Sequence, residues 1–365
     1  AGRLGLAKFR TTRAEFKQFR VGQKLESQQP PQDLVNRIIA ISNDMPPRGP
    51  IGEDLARELA PSGDASITAL RARAERLEQQ SAQLRKLAAA VHERQVLAEL
   101  SRIVEAGPEF DLFHAALLIA KLDNDELDVE AYRTEFGRMA SELKSSFPAD
   151  AGEATRLKAL NEYLFATNGF HGSRADYYNR SNSYVNEVLD DREGLPITLS
   201  LIYMDLAHAI GLDVAGVGLP GHFVVKYSPP EGEAQLVDVF EGGGVMTREQ
   251  ADAKVRGALG RPLTDGDLKP IEPRDVLVRM LHNLRGISER SEDVPAVLRY
   301  VEGVLAIAPD QAEDRMYRAF FRFRSGMSEL ALEDLAWLIE HEPEGIDLAQ
   351  VKSLRDTIER AASEK

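Results

Sequence analysis

The chain has 365 residues, of which 43% are hydrophobic and none is cysteine, and its formal net charge is −14. This length and composition predict a globular protein with at least one buried core and with segments outside it. The lack of cysteine excludes disulfides, zinc-thiolate sites and thiol chemistry. We expect no membrane span, because the most apolar stretch, residues 195–225, is interrupted by Asp205, His208, Asp213 and His222.

The charge is distributed unevenly along the chain. Residues 1–24 contain seven Lys or Arg and one Glu, a net charge of +6, so that the remainder carries −20. An acidic body opposes binding to phosphates, and we expect no nucleic-acid partner. The basic arm is expected to lie on that body or to remain a solvated tail. The chain begins at Ala1 rather than methionine. We expect a cytoplasmic protein, with export after removal of a signal peptide left open.

The first hundred residues divide into two segments. Residues 1–60 contain three proline-bearing breaks and predict a loosely packed extension. Residues 61–106 predict one long helix that ends before Gly107, with apolar residues every seven positions at Leu70, Leu77, Leu84 and Val91. This pattern fits either a coiled-coil dimer or a helix that packs on its own domain. We favour the second, because the other heptad core positions are mostly Ala, Gln or Ser; the oligomeric state stays open.

Residues 107–270 predict a mostly helical α+β domain. Apolar spacing predicts a helical hairpin over 110–143, and Ser183 is expected to cap a short helix that ends at Leu189. Pro196 suits the first position of a helix, which Gly211 closes and which is apolar on nearly all sides, as in a buried helix. Short β-prone runs at 214–217, 223–227 and 236–240 follow it and predict a small antiparallel sheet.

Three motifs occur in this domain in a specific order. They are Asn179, Asn182 and Ser183; then Arg192, Gly194, Pro196 and Ile197; then Pro220, Gly221, His222 and Phe223. Together with the Val-Asp-Val-Phe-Glu-Gly-Gly run at 237–243, they resemble the SirB-type branch of the transglutaminase-like superfamily. The resemblance extends from about residue 96 to about residue 345 and implies a papain-like fold.

The resemblance also implies a catalytic site that has lost one member. Active relatives use a Cys at the amino end of the buried helix, a His at a strand start and an Asp on the next strand. These positions fall on Pro196, His222 and Asp238 here, and Pro196 has no nucleophilic atom. In a hairpin with Val224 opposite Asp238, His222 lies one diagonal step away, which predicts a hydrogen bond between them. The candidate binding residues are Asn179, Asn182, Arg192 and Thr198.

Two other chemistries were weighed at this site. Thr198 or Ser200 could replace the thiol in a hydrolase or acyl-transferase that uses His222 and Asp238, but we expect both hydroxyls to bond to helix carbonyls. A metal site from His171, His222 and Asp238 has no supporting ligand spacing. The glycines at 242–244 lack the Lys-Ser/Thr of a phosphate loop, so we expect neither a metal nor a cofactor.

Residues 271–365 predict a tail of tetratricopeptide-like helix pairs. Pro309 and Pro343 are 34 residues apart, which is the tetratricopeptide period, and a last helix is expected at 347–361. Since repeats need neighbours to bury their faces, we expect this tail to pack on the transglutaminase-like domain. The sequence thus favours a non-catalytic interaction or regulatory protein that binds a protein or peptide.

Overall fold

The computed structural model describes residues 30–45 and 52–363. Its contacts divide the chain into two compact units, residues 1–88 and 89–365. The basic arm at residues 1–24 lies outside the described residues. In the part of the chain that the structure describes, no helix combines the length and apolarity needed to cross a membrane.

The first unit contains a small helical core. Its helices are α1 (Gln32–Asp44), α2 (Glu53–Leu59) and the first part of α3 (Asp64–Glu105), with a 3-10 turn at Ala60–Ser62. Leu34 and Ile38 lie one turn apart on α1 and are buried together with Leu59 and Ala69. The expectation of a loosely packed extension therefore does not fit residues 30–45 and 52–60, which form packed helices, with Pro31 at the N-cap of α1.

The long helix α3 has the predicted bounds but not the predicted packing. Its seven-residue row is exposed, with Leu84 at 67% and Val91 at 48%. The interpretation that this row packs on its own domain is wrong for these side chains. At 42 residues, α3 is about 63 Å long, and its buried apolar residues, Ala69, Val96 and Leu100, lie towards its ends.

Six helices of the second unit build the domain that carries the motifs. They are α4 (Leu112–Lys121), α5 (Val129–Ser145), α6 (Glu153–Asn161), α7 (Val185–Asp191), α8 (Pro196–Ala209) and α9 (Arg248–Leu259). A π-helical turn, Glu162–Thr167, continues α6. Asp111 and Asp128 cap α4 and α5, the predicted hairpin, by accepting backbone N–H groups at 2.8 and 3.0 Å.

Helix α8 lies at the centre of the second unit. It begins at Pro196, is buried on nearly every side and is followed by Gly211 with φ of 74°, as predicted. The predicted cap by Ser183 is wrong. Ser183 ends a 3-10 turn, Tyr184 occupies the N-cap of α7, and the Ser183 hydroxyl has no partner among the described residues.

A four-stranded antiparallel sheet packs against α8. Its strands, in spatial order, are β3 (Val214–Val217), β4 (Val224–Tyr227), β5 (Gln235–Asp238) and β6 (Gly244–Met246). Sequence analysis missed β6, and it missed a two-residue parallel pairing of β1 (His171–Gly172) with β2 (Glu193–Gly194). Such short strands have no measurable alternation, so only the backbone pairing reveals them.

Five helices form the tail. They are α10 (Pro273–Arg290), α11 (Val294–Ile307), α12 (Ala312–Arg324), α13 (Ser328–His341) and α14 (Leu348–Ser363). The first pair shares the main core of the unit through Leu281, Leu284 and Val304, so the tail packs on the domain as expected. The second pair and α14 form a separate cluster around Leu335 and Leu338, both 0% exposed. Trp337, on the same helix, is only partly buried.

Candidate functional site

His222 and Asp238 form a buried pair across the sheet. His222 precedes β4, Asp238 ends β5, and Val225 pairs with Val237, the register that also sets Val224 opposite Asp238. The Nε2 atom of His222 lies 3.0 Å from each carboxylate oxygen of Asp238. The predicted hydrogen bond is thus confirmed, and the carboxylate fixes the orientation of the imidazole.

Other groups hold the Asp238 carboxylate. The Nζ atom of Lys254 on α9 lies 3.7 Å from Oδ2, and the Glu241 backbone N–H donates to Oδ1 at 3.4 Å. Sequence analysis missed Lys254, since it lies outside all three motifs. The positive charge of Lys254 therefore offsets the negative charge of the Asp238 carboxylate.

One cavity borders the pair at Asp238, and a second cavity adjoins the first at Glu241. The first, of about 520 Å³, is lined by Asp238 and Lys254. The other, of about 600 Å³, is lined by His171 and Phe240, and Glu241 borders both. The pair is therefore buried beside open space that could receive a ligand side chain.

The position expected for a nucleophile is occupied by Pro196, the first residue of α8. Thr198 Oγ1 donates to the Asn182 carbonyl at 3.0 Å, and Ser200 is 0% exposed with no hydrogen-bond partner among the described residues. The expectation that both hydroxyls bond to helix carbonyls is wrong. The partner of Thr198 belongs to the approach loop, which we define as residues 176–184 before α7, rather than to α8. Within the described chain, no side-chain hydroxyl is hydrogen-bonded to His222.

The two candidate asparagines brace the approach loop. Asn182 donates to the Asp176 carbonyl at 2.7 Å, and its own carbonyl also accepts the Leu195 N–H at 3.0 Å. The side chain of Asn179 accepts the Ser181 N–H at 3.1 Å. These contacts fix the loop against the start of α8, and a ligand-binding role for the asparagines stays a prediction.

Arg192 shapes the turn before β2. Its φ of 62° is left-handed, its carbonyl accepts the His171 N–H at 2.8 Å, and its guanidinium lies 4.7 Å from the centre of the Phe170 ring. The structure does not bring Arg192 to His222 by any hydrogen bond or ion pair. Among the described residues, no group of three or more His, Cys, Asp or Glu is arranged to hold a metal ion, so His171 does not complete a site with His222 and Asp238.

A residue of the tail holds the His222 loop. Arg279 on α10 donates from Nη2 to the carbonyls of Leu219 at 2.8 Å and His222 at 2.6 Å. A side chain at Gly218 would come within 2.7 Å of this guanidinium, which explains the glycine. Burial lowers the pKa of Arg279. The sequence places α10 only in the repeat tail, and no local signal in it predicts this contact.

The fold and the site together define a transglutaminase-like protein with a tetratricopeptide tail. A model of the transglutaminase-like superfamily matches residues 130–282, and a tetratricopeptide repeat model matches residues 284–356.

Individual proteins similar to this chain show the family to which it belongs. A UPF0162 protein of Xylella fastidiosa (strain Temecula1 / ATCC 700964) is 30% identical over 237 residues, 64% of this chain and 84% of the relative. The chain belongs to the UPF0162 family of transglutaminase-like proteins. UPF0162 protein YchA of Escherichia coli (strain K12) is 22% identical over 58% of this chain and 78% of its own length. Human F-box only protein 21 is 28% identical over 47% of this chain, but only 28% of its own length is covered. No solved structure gives a significant match.

Proposed function

We propose that this protein is a non-catalytic member of the transglutaminase-like superfamily that binds a protein or peptide through its degenerate cleft and its helical tail. The observation that carries the proposal is Pro196 at the start of α8, where active relatives place the nucleophile. A proline side chain can neither attack a carbonyl carbon nor transfer a proton.

The hydroxyls near Pro196 also support the proposal. A serine or threonine nucleophile needs a general base within hydrogen-bond reach. Thr198 donates instead to the Asn182 carbonyl, and Ser200 is fully buried within α8. The alternative is a hydrolase or acyl-transferase that uses Thr198 or Ser200 with His222 and Asp238. It would require α8 to rotate, or the hydrogen bond between Thr198 and the Asn182 carbonyl to break.

The first test asks for acyl-transfer activity. We expect p-nitrophenyl acetate turnover by the full chain to be unchanged in His222→Ala, and a fluorophosphonate probe to leave the protein unlabelled. Turnover that falls at least about 100-fold in both His222→Ala and Ser200→Ala would establish the enzyme instead.

The second test asks whether the cleft keeps the geometry of its active relatives. Pro196→Cys gives the chain its only thiol, since the sequence has none. The amino end of α8 and His222 should lower the pKa of that thiol, measured by thiolate absorbance, below the ordinary value of about 8.5. Ala209→Cys, at the carboxyl end of the same helix, is the matched control and should show no such decrease. Equal pKa values at both ends would contradict the assignment of Pro196 to the nucleophile position.

A further inference from the structure

A row of aromatic rings leads from the surface to His222. We define the aromatic strip as Tyr178, Tyr177 and Phe240. Ring centres are 5.2 Å apart between Tyr178 and Tyr177, 6.2 Å between Tyr177 and Phe240, and 6.1 Å between Phe240 and His222. Tyr178 is 55% exposed and Tyr177 is 37% exposed. Neighbouring exposed rings that continue into a buried site form a contiguous surface on which a ligand can pack.

Two arginines of α10 flank the strip. The Arg290 guanidinium lies 3.6 Å from the centre of the Tyr178 ring. Arg279 is close enough to Tyr177 for its charge to lower the pKa of that phenol, against the larger effect of burial, which raises it. The two arginines are eleven residues apart, three helical turns, so they share one face of α10 about 16 Å apart. Between them, a side chain at Gly286 would meet no atom within 4 Å.

Neither arginine has an acidic partner. Among the described residues, no carboxylate lies within ion-pair distance of Arg279 or Arg290. Arg318 of the same tail, in contrast, lies 2.6 Å from both Asp334 and Glu302. Arg279 donates to two neutral carbonyls, and its guanidinium lies 5.6 Å from the centre of the Phe223 ring. Withdrawing an unpaired guanidinium from water is costly, and a carboxylate that arrives with a ligand would remove that cost.

We propose that the aromatic strip and the face of α10 between Arg279 and Arg290 form a binding site for an extended acidic peptide segment. Two carboxylates of the segment pair with the arginines, and its apolar groups lie on the tyrosine rings. An extended chain advances about 3.3 Å per residue, so the face accommodates about five residues. This site rests on the proposed function, because it assigns a ligand class to the degenerate cleft.

The charge of the chain favours a peptide over nucleic acid. Aromatic rings flanked by arginines also suit single-stranded nucleic acid, where bases stack and phosphates pair. A continuous polyanion, however, would meet overall repulsion from a chain whose net charge is −14. A segment with two carboxylates places its charge only at the arginines.

Fluorescence anisotropy of a labelled peptide tests the site. The probe is an eight-residue peptide of Gly and Leu with glutamates at its second and sixth positions, added to the full chain. We expect saturable binding that weakens at least about tenfold in Arg290→Gln, in Tyr178→Ala and with glutamines in place of the glutamates. Arg290 and Tyr178 are chosen because both are exposed, whereas Arg279 also holds the His222 loop.

A matched arginine–aromatic pair in the same tail is the control. Arg324 lies 5.7 Å from the centre of the Phe320 ring, and Phe320 is 43% exposed. Arg324→Gln and Phe320→Ala should leave peptide affinity unchanged. The proposal would be overturned if substitutions at the two arginine–aromatic pairs reduced peptide affinity equally, or if binding to the wild type did not saturate. It would also be overturned if an eight-nucleotide strand bound more tightly than the peptide through Arg290 and Tyr178. Any of these results alone leaves the non-catalytic assignment standing, whereas turnover dependent on His222 refutes that assignment directly.

Discussion

Leu335→Ala measures how far the tail depends on its own small core. Leu335 is 0% exposed in the cluster formed by α12, α13 and α14. The substitution removes about three methylene equivalents at about 0.8 kcal/mol each, or about 2.4 kcal/mol. The cavity left behind adds about 1 kcal/mol, because the surrounding helices relax only partly. We expect the free energy of unfolding to fall by about 3 to 4 kcal/mol.

Trp337 provides a local assay of this effect. It is the only tryptophan of the chain, lies on α13 and stacks with Arg315 at 4.0 Å, so its fluorescence in urea follows unfolding of the tail. Leu84→Ala is the control. Because Leu84 is 67% exposed, its loss should cost less than about 1 kcal/mol. If Leu335→Ala shifted the unfolding curve no more than Leu84→Ala, the tail would lack the close packing on which the repeat assignment depends.

Two further predictions concern Asp334, which is buried, and Asp205, which is partly buried. Asp334→Ala should lower the free energy of unfolding by about 3 kcal/mol in the same urea assay, because Asp334 is 1% exposed and its loss removes one of the two carboxylates that Arg318 and Arg322 share. A change below about 1 kcal/mol would contradict this. Burial raises the pKa of Asp205 to about 7, so the stability that its protonated form contributes at low pH is lost as pH rises through that value. In urea unfolding, we expect the free energy of unfolding of the wild type to fall by about 2 to 3 kcal/mol between pH 5 and pH 8, and that of Asp205→Asn to show no such decrease. Identical pH profiles for the two proteins would refute this prediction.

The candidate site could be predicted where local chemistry decides it. Pro196 at a helix start and His222 at a strand start each have local sequence signals, and the hairpin register follows from the turn between β4 and β5. Thr198 was misassigned, because its partner is a carbonyl sixteen residues earlier that no helical rule identifies. Lys254 and Arg279 were missed for the same reason. They reach His222 and Asp238 from elements that are distant in sequence.

Most of the helices were predictable from the sequence, whereas β1, β2 and β6 were not. The apolar periodicity gave the long helix and the hairpin, Pro196 and Gly211 gave the limits of α8, and the 34-residue period gave the tail, since each depends on interactions within a few residues or on repetition. The packing of these elements against one another is visible only in the tertiary structure. In it, α10 and α11 contribute to the core of the transglutaminase-like domain, and Leu84 is exposed. Arg279 and Arg290 lie beside the aromatic strip. Periodicity identifies the apolar face of a helix, but the partner of that face depends on the packing of segments a hundred residues apart.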